Sequence, residues 1–425
     1  MSRPAQAIMQ RLNALAKISD APGQITRLFA SDAMRRANAL VGTWMRAAGM
    51  RTHLDAIGNL VGDYAGTAPG AKILLLGSHL DTVRNAGKFD GPLGVLLAIA
   101  CVQQLHQAKI HLPFAIKVIG FSDEEGVRYQ TTYLGSKALA GSFSKNDLRR
   151  QDAGGISLAD ALKTFGGNPA RLKSARLDPR QLLGYVEAHI EQGPVLEKKR
   201  LAVGLVTSIA GQSRARVRFT GRAGHAGTTP MNGRQDALCA AAELILAAEN
   251  LARKTPGAVA TVGEVSARPG ASNVIPGEVW LTLDVRHARD AVRESVSAAL
   301  KREARQIARR RKLRLVCETV HAAAAVNCCP RLSRLLGQSV RRRQGKLLRL
   351  PSGAGHDAAV MAAITPVAML FVRCKNGLSH HPDESVKTAD VGLALAVLND
   401  FLTSLAALGD QGIARRRSRQ IKAIL

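Results

Sequence analysis

The sequence predicts an α/β fold: a larger domain built on a mostly parallel sheet flanked by helices, interrupted by an inserted α+β domain. Three observations predict it. Apolar strand-like runs alternate with helical stretches through the first half of the chain. From residue 213 to 327 the pattern changes to half-exposed alternating strands around two long helical stretches. The strand–helix alternation then returns from residue 328.

Taken in order, residues 1–20 read as a mixed polar and apolar helix, and 31–48 as a second helix stopped by Gly49. Residues 59–64 form a short strand, 73–76 a buried strand, 93–105 a helix, 116–121 a strand and 184–189 another strand. In the insert, 215–219 alternates charged and apolar residues, 236–252 is an Ala-rich helix, and 258–265 and 277–285 are strands. A basic amphipathic helix over 291–311 and a closing strand over 313–319 complete two strand–helix–strand units. The last part reads as helices over 332–343, 358–364 and 390–408 with a strand at 367–371. The expected domains are therefore 1–212 and 328–412 for the larger one, 213–327 for the insert, and a basic tail over 413–425.

Length and composition narrow the class. A chain of 425 residues can bury two cores. It contains no run of 18 or more apolar residues, so no membrane span is expected. Its N-terminal stretch lacks the charged-then-apolar pattern of a signal peptide, and its six cysteines are scattered without a CxxC pair. Buried free thiols in a reducing cytoplasm are expected. The net charge of +28 is concentrated at 301–314, 341–349 and 415–422. Such a field attracts anions. Aromatic residues, only 4% of the chain, do not interleave with these clusters, so a solvated basic face is favoured over a nucleic-acid surface.

Two short segments carry the chemistry. Gly77-Ser78-His79-Leu80-Asp81-Thr82-Val83, with Phe89-Asp90-Gly91 behind it, follows one buried strand, and Asp123-Glu124-Glu125-Gly126 follows another. Ligands in open α/β sheets bind at the carboxyl ends of strands. His79 and Asp81 lie two apart and both turn to that edge; Asp90 sits in a Gly-flanked loop before a helix, a position that favours a carboxylate. His189 ends the next strand, and His380 and His381 come later in Ser379-His380-His381-Pro382-Asp383-Glu384. Singly, each has an ordinary alternative: a hydrogen-bonded His, an Asp capping a turn, a solvated acidic pair. Together at successive strand ends they point to metal-assisted hydrolysis.

The chain resembles the M20-type dinuclear metallohydrolases, in the branch of allantoate amidohydrolases, N-carbamoyl-L-amino-acid hydrolases and β-ureidopropionases. The resemblance runs through GSHLDTV, KFDGPLGV, SDEEGVRYQTTYLGS, EAHIEQGPVLE, GRAGHAGTTPM, SNVIPG, LDVR, SGAGHDA and RCKNGLSHHPDE in order, over nearly the whole chain. DTVRNAGKFDG and FSDEEGVRYQTTYLGS look most like the allantoate amidohydrolases. The resemblance implies metal ligation by His79, Asp90, Glu125, His189 and His380, with Asp90 bridging two divalent ions, Mn²⁺ or Zn²⁺. It implies Glu124 as general base, Asp81 orienting His79, and His225 stabilising a developing oxyanion. It also implies substrate contacts from Gln212, Asn273, Arg286 and His356, a small anionic ureido acid as substrate, and a homodimer whose inserted domain serves as lid and dimerisation surface. His381, where relatives commonly have a small residue, competes with His380 for the ligand role, and Arg286 has a surface ion pair with Asp284 as its alternative.

Overall fold

The structure is a computed structural model that describes residues 2–409; the basic segment 415–422 and the rest of the tail expected over 413–425 lie outside them. The chain divides into two compact units. Among the described residues, the first comprises those up to Thr207, Cys328–Leu350 and 356–409; the second comprises Ser208–Asn327 and Pro351–Gly355.

The first unit is organised by a sheet, nine-stranded among the described residues, whose main strands are β1 (Arg51–Leu54), β2 (Leu60–Tyr64), β3 (Ile73–His79), β4 (Ala115–Phe121), β5 (Leu182–Ile190), β6 (Val203–Ile209) and β7 (Val367–Val372), with the short Val326–Asn327 and Arg349–Ser352 pairing to β6. The main strands lie in the order β1-β2-β4-β3-β5-β7-β6. The four central strands, β4, β3, β5 and β7, are parallel, and the flanking pairs are antiparallel. Leu74, Leu75 and Leu76 are all buried, as is every residue of β7, which is what a parallel strand covered on both faces requires. Register aligns the ends: His79 pairs with Phe121, and Phe371 pairs with His189. The carboxyl edge of the parallel strands therefore carries His79, the segment after Phe121, and His189 side by side.

Helix Pro92–Gln107 lies against β3, β4 and β5 and is apolar almost all round, so it is buried. Its N-terminus follows Asp90-Gly91 directly. Gly91 has φ +82°, and a Cβ there would sit 2.4 Å from the His79 ring, so only glycine lets the Asp90 loop pass over that imidazole. Helix Thr388–Gly409 is long and apolar enough by length and composition to cross a membrane. Val391, Ala394, Leu398 and Phe401 are nevertheless buried, and the helix packs on Arg3–Ala16, Pro92–Gln107 and Pro330–Gln344, the position of a core helix.

In the second unit, strands Val265–Arg268, Glu278–His287, Gly211–Thr220 and Arg314–Ala323 form an antiparallel sheet in that order. Helices Ala237–Lys254 and Asp290–Arg310 close a core of Val217, Phe219, Leu244, Val279, Leu281 and Ile307. The single strand expected over 258–265 is two short strands, Val259–Thr261 and Val265–Arg268, that pair with different parts of Glu278–His287. The chain breaks between them where Glu264 offers its carbonyl to Thr282 N. The helix expected over 358–364 is only Asp357–Met361. Among the cysteines, Cys101, Cys328 and Cys374 are buried free thiols as expected, but Cys239 is exposed. Its helix turns Ala237, Ala240, Ala241 and Leu244 to the core and leaves position 239 on the other face.

Candidate metal centre

The strand ends bring the candidate ligands together. His79, Asp90 and His189 each place one ligand atom within 4.8 Å of the others; so do Asp90, Glu125 and His380, and so do His79, Glu124 and Glu125. Asp90 joins the first two of these groups, and His79 and Glu125 each link one of them to the third. Asp90 Oδ1 lies 3.1 Å from His189 Nε2, and its Oδ2 lies 3.0 Å from His380 Nε2. Glu125 Oε1 is 3.3 Å from the same His380 nitrogen.

The donor arrangement fits divalent cations. His79 Nδ1 lies 3.0 Å from the carbonyl of Asp81, and His189 Nδ1 lies 3.0 Å from the carbonyl of Ile190. A carbonyl accepts only, so each Nδ1 carries a proton, and in the neutral form that a metal requires each Nε2 is left with a lone pair. Those two Nε2 atoms face each other at 3.5 Å, beside Asp90 Oδ1. Lone pairs converging in a buried site need a cation or a proton between them. Asp90 offers its two oxygens to two such clusters, as a bridging carboxylate does. Histidine and carboxylate donors without thiolate suit Mn²⁺ or Zn²⁺.

The electrostatics agree. Burial works against charge on Asp90, yet the hydrogen bond from His380 and the charges of His189 and His79 hold its carboxyl below the usual range. Hydrogen bonds to Asp90 and Glu125 push His380 up to about 10. Burial and then the charge of Glu125 push Glu124 well above the usual carboxylate range. Two divalent charges would relieve this crowding of carboxylates.

Asp81 does more than orient His79. Its carboxylate accepts from Glu124 N through both oxygens, at 3.0 and 3.1 Å, and from Glu125 N at 3.1 Å. It is 3.5 Å from His79 Nδ1, farther than its own carbonyl. One buried carboxylate thus ties the end of β3 to the acidic pair after β4. His380, and not His381, faces the cluster: His381 Nδ1 instead accepts from Asp383 N at 3.2 Å. His356 is buried behind the cluster, its ring 4.6 Å from that of His189 in a T-shaped contact, and burial keeps it neutral by lowering its pKa well below the ordinary value.

The remaining candidates belong to the second unit, where they form two pairs. Val274 pairs with His225, and Ala226 N donates to the Asn273 carbonyl at 2.9 Å, which sets His225 and Asn273 side by side. His225 Nδ1 accepts from Gly227 N and Thr228 N, so its exposed Nε2 carries the proton and presents a donor. Gln212 is buried and in register with Arg286. Arg286 donates from Nε and Nη2 to Asp284, both at 3.0 Å, and from Nη1 to the Gly353 carbonyl at 3.0 Å. The ion pair with Asp284 therefore occupies one guanidinium edge, and the Gly353 carbonyl engages Nη1 as well. Arg286, Arg214, Arg216 and Thr282 line an open groove of about 580 Å³ that contains none of the metal-cluster residues.

Three residues of the centre escaped sequence reasoning. Gln192, three positions after His189 and at φ +56°, donates from Nε2 to both oxygens of Asp90, at 3.2 and 3.0 Å. Ser379 Oγ lies 3.0 Å from Asp90 Oδ2 and 3.0 Å from Glu384 Oε2. Glu384 is buried, and burial followed by the charge of Asp90 pushes it up to about 7. All three lie in the segments that carry the family resemblance, but nothing in their spacing says that they reach Asp90.

The description "Peptidase family M20/M25/M40" matches residues 75–404. A probable allantoate deiminase of Oryza sativa subsp. japonica is 43% identical over 92% of this chain and 87% of its own. An N-carbamoyl-L-amino acid amidohydrolase of Geobacillus stearothermophilus is 41% identical over 94% of this chain and 98% of its own. Among solved structures, a hydantoinase/carbamoylase family amidase from Burkholderia multivorans superposes with a TM-score of 0.88 at 32% identity, covering 95% of this chain and 98% of that one.

Proposed function

The chain belongs to the M20/M25/M40 peptidase family and is a hydrolase; we propose that it is a dinuclear metal-dependent amidohydrolase that cleaves a C–N bond of a ureido acid, allantoate first. The observation that carries the reading is Asp90 set between His189 and His380, one carboxylate oxygen toward each. His79, Asp90 and His189 would hold one ion, and Asp90, Glu125 and His380 the other. When bound, such ions polarise a carbonyl and lower the pKa of a water, which a resonance-stabilised ureido group needs.

The side chains supply the rest. Glu124, raised in pKa and held through its amide by Asp81, takes a proton from water and delivers it to the leaving nitrogen. His225, with its proton on Nε2, donates to the oxygen on which charge develops. Arg286 receives the substrate carboxylate, its Nη1 turning from the Gly353 carbonyl to the anion, with Gln212 and Asn273 for the ureido group and His356 buttressing His189. Attack of one water on one ureido group of allantoate releases ammonia and carbon dioxide and leaves ureidoglycine. The homodimer belongs to the same proposal and is checked by sedimentation of the purified protein.

The 41% identity to an N-carbamoyl-L-amino acid amidohydrolase supports a second reading, with the same centre and a side chain in place of the second ureido group. A panel of allantoate, N-carbamoyl-L-amino acids and N-carbamoyl-β-alanine, offered to Mn²⁺-loaded protein with ammonia followed, separates them. Ammonia from allantoate is expected. Turnover of a carbamoyl amino acid with none from allantoate overturns the first choice.

A further inference from the structure

We propose that Glu384 is a positioning residue of the metal centre, a clamp that sets the affinity of the position shared by Asp90, Glu125 and His380; the inference rests on the dinuclear reading above. Glu384 is 4% exposed. Its Oε1 accepts from Phe89 N at 2.8 Å and from Asp90 N at 3.1 Å, across almost 300 residues of chain. Its Oε2 meets Ser379 Oγ at 3.0 Å, and that hydroxyl meets Asp90 Oδ2 at 3.0 Å. One carboxylate therefore grips the backbone of the bridging residue, and through Ser379 it reaches that residue's side chain as well.

The same residue anchors the loop of the ligand His380, by its carboxylate at Ser379 and by its backbone after His381. Glu384 N donates to the His381 carbonyl at 3.1 Å and closes the turn that follows His380. His380 has φ +56°, a conformation that costs a non-glycine residue energy and persists only where its surroundings impose it. Its side chain is 48% exposed, so packing does not hold the imidazole. Besides its Nε2 contacts to Asp90 and Glu125, what holds it is the loop, tied down on one side by Ser379 and on the other by Glu384. Gly87 leaves the space: a Cβ there would lie 2.4 Å from both Cβ and Oε1 of Glu384, although Gly87 is not at positive φ. The glycine before Lys88-Phe89-Asp90 is thus explained by the passage of the clamp and not by a turn.

Partners of metal ligands that lie outside the ligand shell typically contribute about 10- to 100-fold in metal affinity. The test is Mn²⁺ titration of metal-stripped full-length protein, free Mn²⁺ being counted by electron paramagnetic resonance, with the step lost in His380→Ala identifying the position concerned. Glu384→Ala is expected to weaken that step by about 10- to 100-fold and leave the other step unchanged. Glu384→Gln keeps an oxygen for the two amides and an N–H for Ser379, and is expected to restore the affinity. Ser379→Ala, which removes one hydroxyl, is expected to weaken the same step by about tenfold and decides the matter if Glu384→Ala does not fold. Wild-type affinity in both Glu384→Ala and Ser379→Ala, no rescue by Glu384→Gln, or equal weakening of both steps overturns the clamp. Uptake of fewer than two equivalents by the wild-type protein overturns the dinuclear reading itself, and the clamp with it.

Discussion

Replacing Glu124 by glutamine separates proton transfer from metal binding. The backbone at this position is held by Asp81, whose two oxygens accept Glu124 N at 3.0 and 3.1 Å, so the substitution leaves the main chain where it is. Glutamine conserves the volume of a side chain that is 9% exposed. Asp90 takes part in two ligand clusters that do not include Glu124, so both ions should remain. The variant loses only the ability to accept a proton. A positioned acid/base contributes about 10²–10⁴-fold, equivalent to about 2.7–5.4 kcal/mol of barrier at 1.36 kcal/mol per tenfold. The expected result is a fall in kcat of that size in an ammonia-release assay, with two metal equivalents retained by elemental analysis. An unchanged kcat with both ions in place would refute Glu124 as the base, and loss of an ion would refute its separation from the ligand set.

Further outcomes follow from the same geometry. His380→Ala should lose one metal equivalent and His381→Ala none; the reverse result would put the ligand one residue later. Because Asp90 and Glu125 raise His380 from 6.5 to about 10, its stabilisation of the metal-free protein is full below about pH 6.5 and fades as pH rises through about 10. The melting-temperature gap between chelated wild type and His380→Ala should therefore shrink from pH 6 to pH 10, and a constant gap would contradict the assignment. Gly91→Ala places a methyl 2.4 Å from the His79 ring at φ +82°, and should cost about 1–3 kcal/mol in backbone strain alone and weaken the His79 metal position, measured by denaturant unfolding and metal titration. Arg286→Lys breaks the two-point contact with Asp284 and cannot replace the planar guanidinium, so KM for a ureido acid should rise about tenfold or more with kcat less affected. A KM unchanged by that substitution would leave the residue a structural ion pair.

Much of the centre was legible in the chain because it is local to strand ends. His79, Asp81, Glu124, Glu125 and His189 follow apolar runs whose burial on both faces makes them parallel strands, and parallel strands deliver their following residues to one edge. The boundaries were less legible where a long strand is broken by a single carbonyl–amide bond, as at Glu264, or where helix phase decides exposure, as at Cys239.

By itself the sequence determined the α/β alternation, the inserted unit, and the residue types of a candidate metal site, since periodicity and motif order are properties of neighbours along the chain. Only the tertiary structure decided which of two adjacent histidines faces Asp90, that Asp81 holds the acidic pair more closely than it holds His79, and that Glu384 reaches back almost 300 residues to the Asp90 loop. Those facts depend on the direction of lone pairs and N–H bonds in space, and such directions are set by where the backbone of one strand end meets another.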